Sequence, residues 1–354
     1  MLWFIIRSST NNDALLELKV SELLLAWTEI IADWHSWEEV EDLAVFDCIK
    51  EVVNLETNLG LPNLFIAKMP PPPAPPVPEK SLIENIATFV SEAISQYPSA
   101  ASRACACVHT LLHLPCYSSD TEEVRRSLVI AFSQAAASRF KDIQSKPCSL
   151  WKPLLLAVSS CYLYYPDAVQ SVLEKVEKGG FILWVSAVNS ISSISFTPNT
   201  TTESEIKLVV ITLGKVVEQL LTVGSPTSGL LWECFSSLLS AFARLKEIQE
   251  ANDLDEEIED DSDDDVQEET EEEFLERYAE AAAALENGNL AEEGDLEDFD
   301  EELELGSLEE LDPQIFLQSL LERYHQSIVQ NQVLSPQLIS SLRSLFPEFT
   351  GFGQ

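Results

Sequence analysis

Between Glu250 and Asp312 the chain carries 31 acidic residues and a single base, Arg277, so 63 residues hold a net charge of −30. A stretch of this kind repels itself and has too few apolar residues to offset the entropy of ordering it, so it builds no core of its own. The whole chain has 354 residues, 60 of them acidic and 21 basic, and a net charge of −39. Outside the acidic stretch only −9 remains over 291 residues, and 45% of the chain is hydrophobic. The sequence therefore predicts a folded body into which an acidic segment is set. The same charge argues against whole classes of partner. Neutralising nucleic-acid phosphates takes clustered Lys and Arg, and the only adjacent basic pair here is Arg125-Arg126. No direct nucleic-acid binding is expected. Membrane insertion is not expected either, because the opening MLWFIIR offers five apolar residues between Met1 and Arg7, short of a signal core and far short of a span.

The body reads as helices. Apolar residues recur at helical spacing through Leu15, Leu18, Leu23, Ala26, Trp27, Ile30, Ile31 and Trp34, and again through Leu43, Phe46, Ile49, Val52 and Val53. Ser36 and Glu39 between them have capping-box spacing. The run PPPPAPPVP at Pro70 to Pro78 lacks a backbone donor at most positions and reads as an extended spacer. Beyond it, Ser81 with Glu84 forms another capping box ahead of a face made by Leu82, Ile83, Ile86, Phe89, Val90, Ala93, Ile94 and Tyr97. The pattern then repeats over 100–114, 121–143, 150–165, 167–178, 181–194, 203–223 and 230–248, punctuated by Pro98, Pro115, Pro166, Gly179-Gly180, Pro198 and Gly224. No committed strand is read. The expected fold is all-α, a HEAT or armadillo-type solenoid of stacked helix pairs with a long acidic disordered insertion before the C-terminal helices.

This reading divides the chain into an N-terminal helical part (1–69), a proline-rich linker (70–80), HEAT-like repeats (81–249), an acidic, mostly disordered segment (250–311), C-terminal helices (312–346) and a tail (347–354). Within the acidic segment, 253–273 is expected to be disordered, 274–285 (FLERYAEAAAAL) to form an isolated helix, and 288–311 to be acidic coil. Asp312-Pro313 and Ser335-Pro336 start two closing helices, whose Ile315, Phe316, Leu320, Leu321, Tyr324, Ile328, Leu338, Leu342 and Leu345 are expected to dock on the body.

Catalytic signatures are missing from the sequence. It contains no nucleophile elbow, phosphate-binding loop or metalloprotease motif, and only four histidines. The densest cluster is Cys105, Cys107, His109, His113 and Cys116. On a helix, Cys105, His109 and His113 share a face and can approach one zinc ion. No second ligand pair completes a finger, and leucines surround the cluster, so buried thiols and core histidines are the default reading and no cofactor or metal is assigned. The seven cysteines, at 48, 105, 107, 116, 148, 161 and 234, show no framework spacing and read as reduced core thiols of an intracellular protein. No enzyme is expected.

The site this sequence offers is the polyanion itself. Asp253, Asp255, Glu256, Glu257, Glu259, Asp260, Asp261, Asp263, Asp264, Asp265, Glu268 and Glu269 form a run that attracts basic proteins and speeds their association, or else serves only as a solubilising loop. Ser262 lies within it, flanked by acids as an acid-directed kinase requires.

Several segments in order carry a family resemblance: SSCYLYYPDAVQSVLEKV (159–176), FILWVSAVNSISSI (181–194), SEIKLVVITLGKVVEQLL (204–221), LLSAFARLKEIQEAN, the acidic run, and the closing DPQIFLQSLLERYHQSIVQN. Together they resemble the C-terminal portion of an importin-beta superfamily (karyopherin-beta) nuclear import receptor, closest to the importin seven and eight branch, and look like a plant-type member. The resemblance extends from about Leu82 to the end and rests on order and pattern rather than on an invariant motif. It implies a HEAT-repeat superhelix that shuttles between cytoplasm and nucleus through the nuclear envelope. It also implies basic cargo such as ribosomal proteins or histones held against the acidic loop, and contact with nuclear pore proteins. The family's main Ran-binding surface lies in N-terminal repeats for which this chain has no room, so the sequence reads as a C-terminal portion and leaves Ran-GTP open as a partner. Two alternatives from other classes stand beside this one: a non-transport armadillo-type interaction scaffold, and an acidic histone-chaperone-like binder.

Overall fold

Four of the helices described below begin at side chains that satisfy backbone groups a helix leaves open. The computed structural model describes residues 20–32, 44–59, 80–114, 119–193, 202–223, 228–259, 303–330 and 335–347. Over these residues the chain is all-α, with no strand among them. The helices are α1 (Val20–Ala32), α2 (Ala44–Leu59), α3 (Leu82–Gln96), α4 (Ala101–Leu112), α5 (Ser119–Ile143) and α6 (Cys148–Tyr164). They continue with α7 (Pro166–Val176), α8 (Gly180–Ser193), α9 (Glu203–Val223), α10 (Ser228–Glu259), α11 (Pro313–Gln330) and α12 (Pro336–Leu345). The proline run 70–78, the Ser36/Glu39 pair and Leu15, Leu18, Trp34 and Leu43 lie outside the described residues.

The caps follow the sequence closely. Glu84 Oε2 accepts from both the Ser81 N–H (2.7 Å) and the Ser81 hydroxyl (2.6 Å) at the start of α3. At α9 the box is reciprocal, with the Thr202 N–H donating to Glu205 Oε2 (3.2 Å) and the Glu205 N–H to Thr202 Oγ1 (3.4 Å). Asp312 Oδ1 accepts from the Gln314 N–H (2.7 Å), and Ser335 Oγ from the Leu338 N–H (3.2 Å), each with proline at the first helical position. Gly179 takes φ +77° at the turn between α7 and α8, and a Cβ on Gly180 would come within 2.2 Å of the Leu173 carbonyl oxygen. Both glycines of the pair are therefore required there, one by backbone conformation and the other by close approach.

Two compact units are present: Met1–Leu245 with Leu303–Gln354, and Lys246–Glu302. In the first, the helices from α1 to α7 pack against their second neighbours along the chain. One layer runs α1 on α3, α3 on α5 and α5 on α7; the other runs α2 on α4, α4 on α6, α6 on α9 and α9 on α11. Consecutive helices pair across the layers, as α3 with α4 and α5 with α6. All the α3 face residues named from the sequence are buried, from Leu82 to Tyr97. The largest buried side chain among the described residues, Trp184 of α8, has its ring centroid 5.1 Å from that of Tyr162 in α6 and 5.9 Å from that of Phe181.

The closing helices do dock on this body. Phe346 stacks on Phe242 with ring centroids 5.4 Å apart, and Leu320, Leu321, Ile328, Leu338 and Leu342 are buried. Glu218 of α9 receives Lys215 Nζ and Arg323 Nη1, each at 2.9 Å, and the Tyr324 hydroxyl at 3.4 Å. Burial alone would raise the Glu218 carboxyl pKa, but Lys215, Arg323 and Tyr324 outweigh it and hold it below the ordinary range. One expected docking residue, Ile315, is instead 67% exposed, on the outward side of α11, while its neighbour Phe316 lies against Gly214 of α9. In α1 the buried face is Leu24, Thr28 and Ile31, whereas Leu23 and Ile30 point outward.

The second unit begins inside α10. The sequence places 253–273 in a disordered stretch, but α10 continues through Glu259. Its first turns are anchored by Leu231, Cys234, Phe235, Leu238 and Phe242, and extending a helix already formed costs far less than nucleating one. Residues 260–302, including the expected 274–285 helix, lie outside the described residues.

Candidate functional site: an acidic strap across the α4 and α9 ends

The last part of the acidic segment is irregular apart from one 3-10 turn, yet it is held in place. Residues 303–312 form a strap that is fixed to the body from both its backbone and its side chains. The Leu303 N–H donates to Ser204 Oγ (2.9 Å), Thr110 Oγ1 donates to Glu304 Oε2 (3.2 Å), and Lys207 Nζ donates to the Glu309 carbonyl (2.6 Å). Leu305 is completely buried, and its N–H donates to Glu309 Oε1 (2.9 Å). A 3-10 turn, Gly306–Leu308, follows, with Gly306 at φ +51°; a Cβ there would lie 2.8 Å from His113 Cβ. Only glycine fits, by conformation and by space. The sequence reading missed this strap because acids dominate its composition. The signal that could have found it is the leucine spacing at 303, 305, 308 and 311 around Gly306.

Beneath the strap, α4 and α6 are joined by a two-rung ladder. His109 Nδ1 lies 2.7 Å from Ser160 Oγ, and His113 Nδ1 lies 2.7 Å from the Tyr164 hydroxyl. The four-residue spacing on α4 matches the four-residue spacing on α6, so both rungs repeat one contact a helical turn apart. Burial pushes the His109 imidazole down to about 3, helped by the neighbouring His113. Burial also pushes His113 down to about 4, with Arg125 adding to the effect. Both rings are neutral at physiological pH.

These two histidines belong to the cluster that the sequence weighed as a zinc site. Here they are committed to hydroxyl partners, and no group of three or more metal-ligating side chains gathers among the described residues. Cys116 lies outside those residues. Cys48, Cys105, Cys107, Cys161 and Cys234 are buried, and no disulfide joins the described cysteines. Burial pushes the Cys48 and Cys234 thiols up to about 12 and Cys148 to about 11, and raises Cys105 and Cys161 further, which disfavours the thiolate form of these five.

Beside the strap a cleft of about 480 Å3 is lined by His113, Leu114, Arg125, Tyr164, Glu304, Ser307 and Glu310, among others. The Arg125 guanidinium carbon sits 4.9 Å from the centre of the Tyr164 ring. At the other end of the acidic segment, Asp253, Asp255, Glu256, Glu257 and Glu259 occupy the last turns of α10. Acids there oppose the helix dipole, whose C-terminal end favours cations. Asp260, Asp261, Ser262, Asp263, Asp264, Asp265, Glu268 and Glu269 lie outside the described residues. No described helix is long and apolar enough to cross a membrane.

No protein-family model matches the chain, and neither a curated protein nor a solved structure matches it.

Proposed function

We propose that this chain is the cargo-binding, C-terminal part of an importin-beta-like nucleocytoplasmic transport receptor. It is a non-enzymatic protein that holds basic cargo, of the ribosomal-protein or histone kind, against a HEAT-type helical stack and an acidic segment. The observation that carries the reading is the concentration of −30 of the −39 net charge in residues 250–312 of an otherwise ordinary helical chain. Charge gathered in this way raises the association rate of oppositely charged proteins and costs little cohesion in the body. Two further points support it. The packing of helices on their second neighbours in two layers is the arrangement by which helical repeats bury their faces against adjacent repeats. The order of segments also resembles the importin seven and eight branch. In this reading nuclear pore proteins are partners, Ran-GTP is left open as a partner, and the protein works between cytoplasm and nucleus at the nuclear envelope.

The test separates transport from plain acidic binding. In permeabilised cells, the labelled chain loaded with a fluorescent core histone is expected to gather at the nuclear rim and to bring the histone with it. Histone binding without accumulation at the rim would contradict the transport reading and favour a scaffold or histone-chaperone-like protein.

A further inference from the structure

Ser307 stands exposed in the strap's 3-10 turn, with Glu309, Glu310 and Asp312 downstream. Acids at these positions after a hydroxyl are what an acid-directed protein kinase reads. Ser307 also lines the cleft that holds Arg125, His113 and Tyr164. Two nitrogens in that cleft lack a partner among the described residues. Arg125 is only 8% exposed, and among the described residues its Nε–H meets no acceptor and its one ion-pair partner, Glu122, stands 4.0 Å from Nη1. The Nε2 of His113 is buried and likewise without a partner. A buried cation so weakly compensated is costly, and an anion delivered to this cleft would relieve it.

We propose that Ser307 is a phosphorylation site whose phosphate is received in the cleft by Arg125 and the His113 ring, locking the strap onto the body. The transfer forms a bond from Ser307 Oγ to the γ-phosphorus of a nucleoside triphosphate and breaks the bond from that phosphorus to the bridging oxygen. Nucleoside diphosphate leaves, and the hydroxyl proton passes to the kinase's base. Glu304, Glu309 and Glu310 oppose the new charge. Glu304 is already held by Thr110 and Glu309 by the Leu305 N–H, and all three are exposed to screening water. Arg125 is buried, where the effective dielectric constant is lower, so its attraction outweighs their repulsion. This site is separate from the serine at 262 and does not depend on the transport reading.

The full chain is treated with an acid-directed kinase and ATP, the modified residues are mapped by mass spectrometry, and Ser307→Ala serves as the control. Three results are expected. Ser307 is modified. Its phosphorus resonance titrates below the ordinary second pKa of about 6 for a phosphoserine. Amide exchange over 303–311 slows roughly tenfold, the effect of one or two charge-assisted hydrogen bonds. Arg125→Gln is expected to return both the titration and the exchange to their unmodified values; should that variant fail to fold, the titration in the otherwise unchanged chain decides alone. An unmodified Ser307 in a chain the kinase modifies elsewhere would overturn the proposal. So would a phosphate titrating at or above its ordinary value, or exchange that is unchanged or faster.

Discussion

Trp184→Ala lowers the unfolding free energy by about 3–5 kcal/mol, the usual cost of emptying a large aromatic site in a packed core. Trp184 is 2% exposed and lies against Tyr162 and Phe181, so the loss removes the centre of the contact between α6 and α8. Its indole N–H is buried without an acceptor among the described residues. Leaving such a donor unpaired carries a penalty of roughly 1–3 kcal/mol. Trp184→Phe removes the penalty together with part of the ring, and its stability is expected to fall within about 1 kcal/mol of the original. Chemical denaturation of both variants checks this. If Phe proves as damaging as Ala, the N–H has a partner and the account of this core is wrong.

Acid unfolding is the second large effect. His109 titrates near 3 and His113 near 4 in the folded chain, against 6.5 for an unperturbed histidine. The unfolded chain therefore binds more protons throughout that window. Stability contributed by the neutral rings is fully present above about pH 6.5 and is lost progressively as the pH falls toward 4 and then 3. Each unit of displacement corresponds to roughly 1.4 kcal/mol. Protonation of the many carboxylates also relieves self-repulsion in the same range, so the histidine contribution is read as a difference. His109→Gln, which keeps a polar group for Ser160 and does not titrate, is expected to flatten the fall in unfolding midpoint between pH 6.5 and 4. Equal slopes in the two proteins would mean that the imidazole is protonated or solvated in the folded state.

How far the fold could be read in advance depended on local signals. The span of α9, Glu203–Val223, matches the sequence reading to the residue because Thr202 and Glu205 satisfy each other's backbone donors at its start. The eight-residue face of α3 was equally legible, since periodicity alone picks out a helix buried on one broad side. Periodicity does not say how far a partner reaches. Ile315 and Ile30 keep the rhythm of their helices, yet both stand exposed on the outward side. Composition misled in the acidic segment in two opposite ways. At 253–259 it argued against a helix that a packed neighbouring stretch extends, and at 303–311 it hid a docked strap behind its glutamates. The histidine ladder was half visible. The sequence placed His109 and His113 on one face of a helix, but their partners Ser160 and Tyr164 come from 51 residues away, a pairing that only packing reveals.

The central claim is that the acidic run captures basic proteins by long-range attraction. The most direct measurement is stopped-flow association of a core histone with the intact chain and with a variant neutralised across the run. In that variant Asp253, Asp255, Asp260, Asp261, Asp263, Asp264 and Asp265 become Asn, and Glu256, Glu257, Glu259, Glu268 and Glu269 become Gln, with both proteins followed across a salt series. The account predicts that the intact chain associates at least tenfold faster at low salt, within the range of 10 to 1,000 that electrostatic steering supplies. The advantage should shrink as the Debye length falls from about 10 Å at 0.1 M to about 3 Å at 1 M. Equal rates for the two proteins at every salt concentration would contradict it, and would leave the acidic run as a device for solubility.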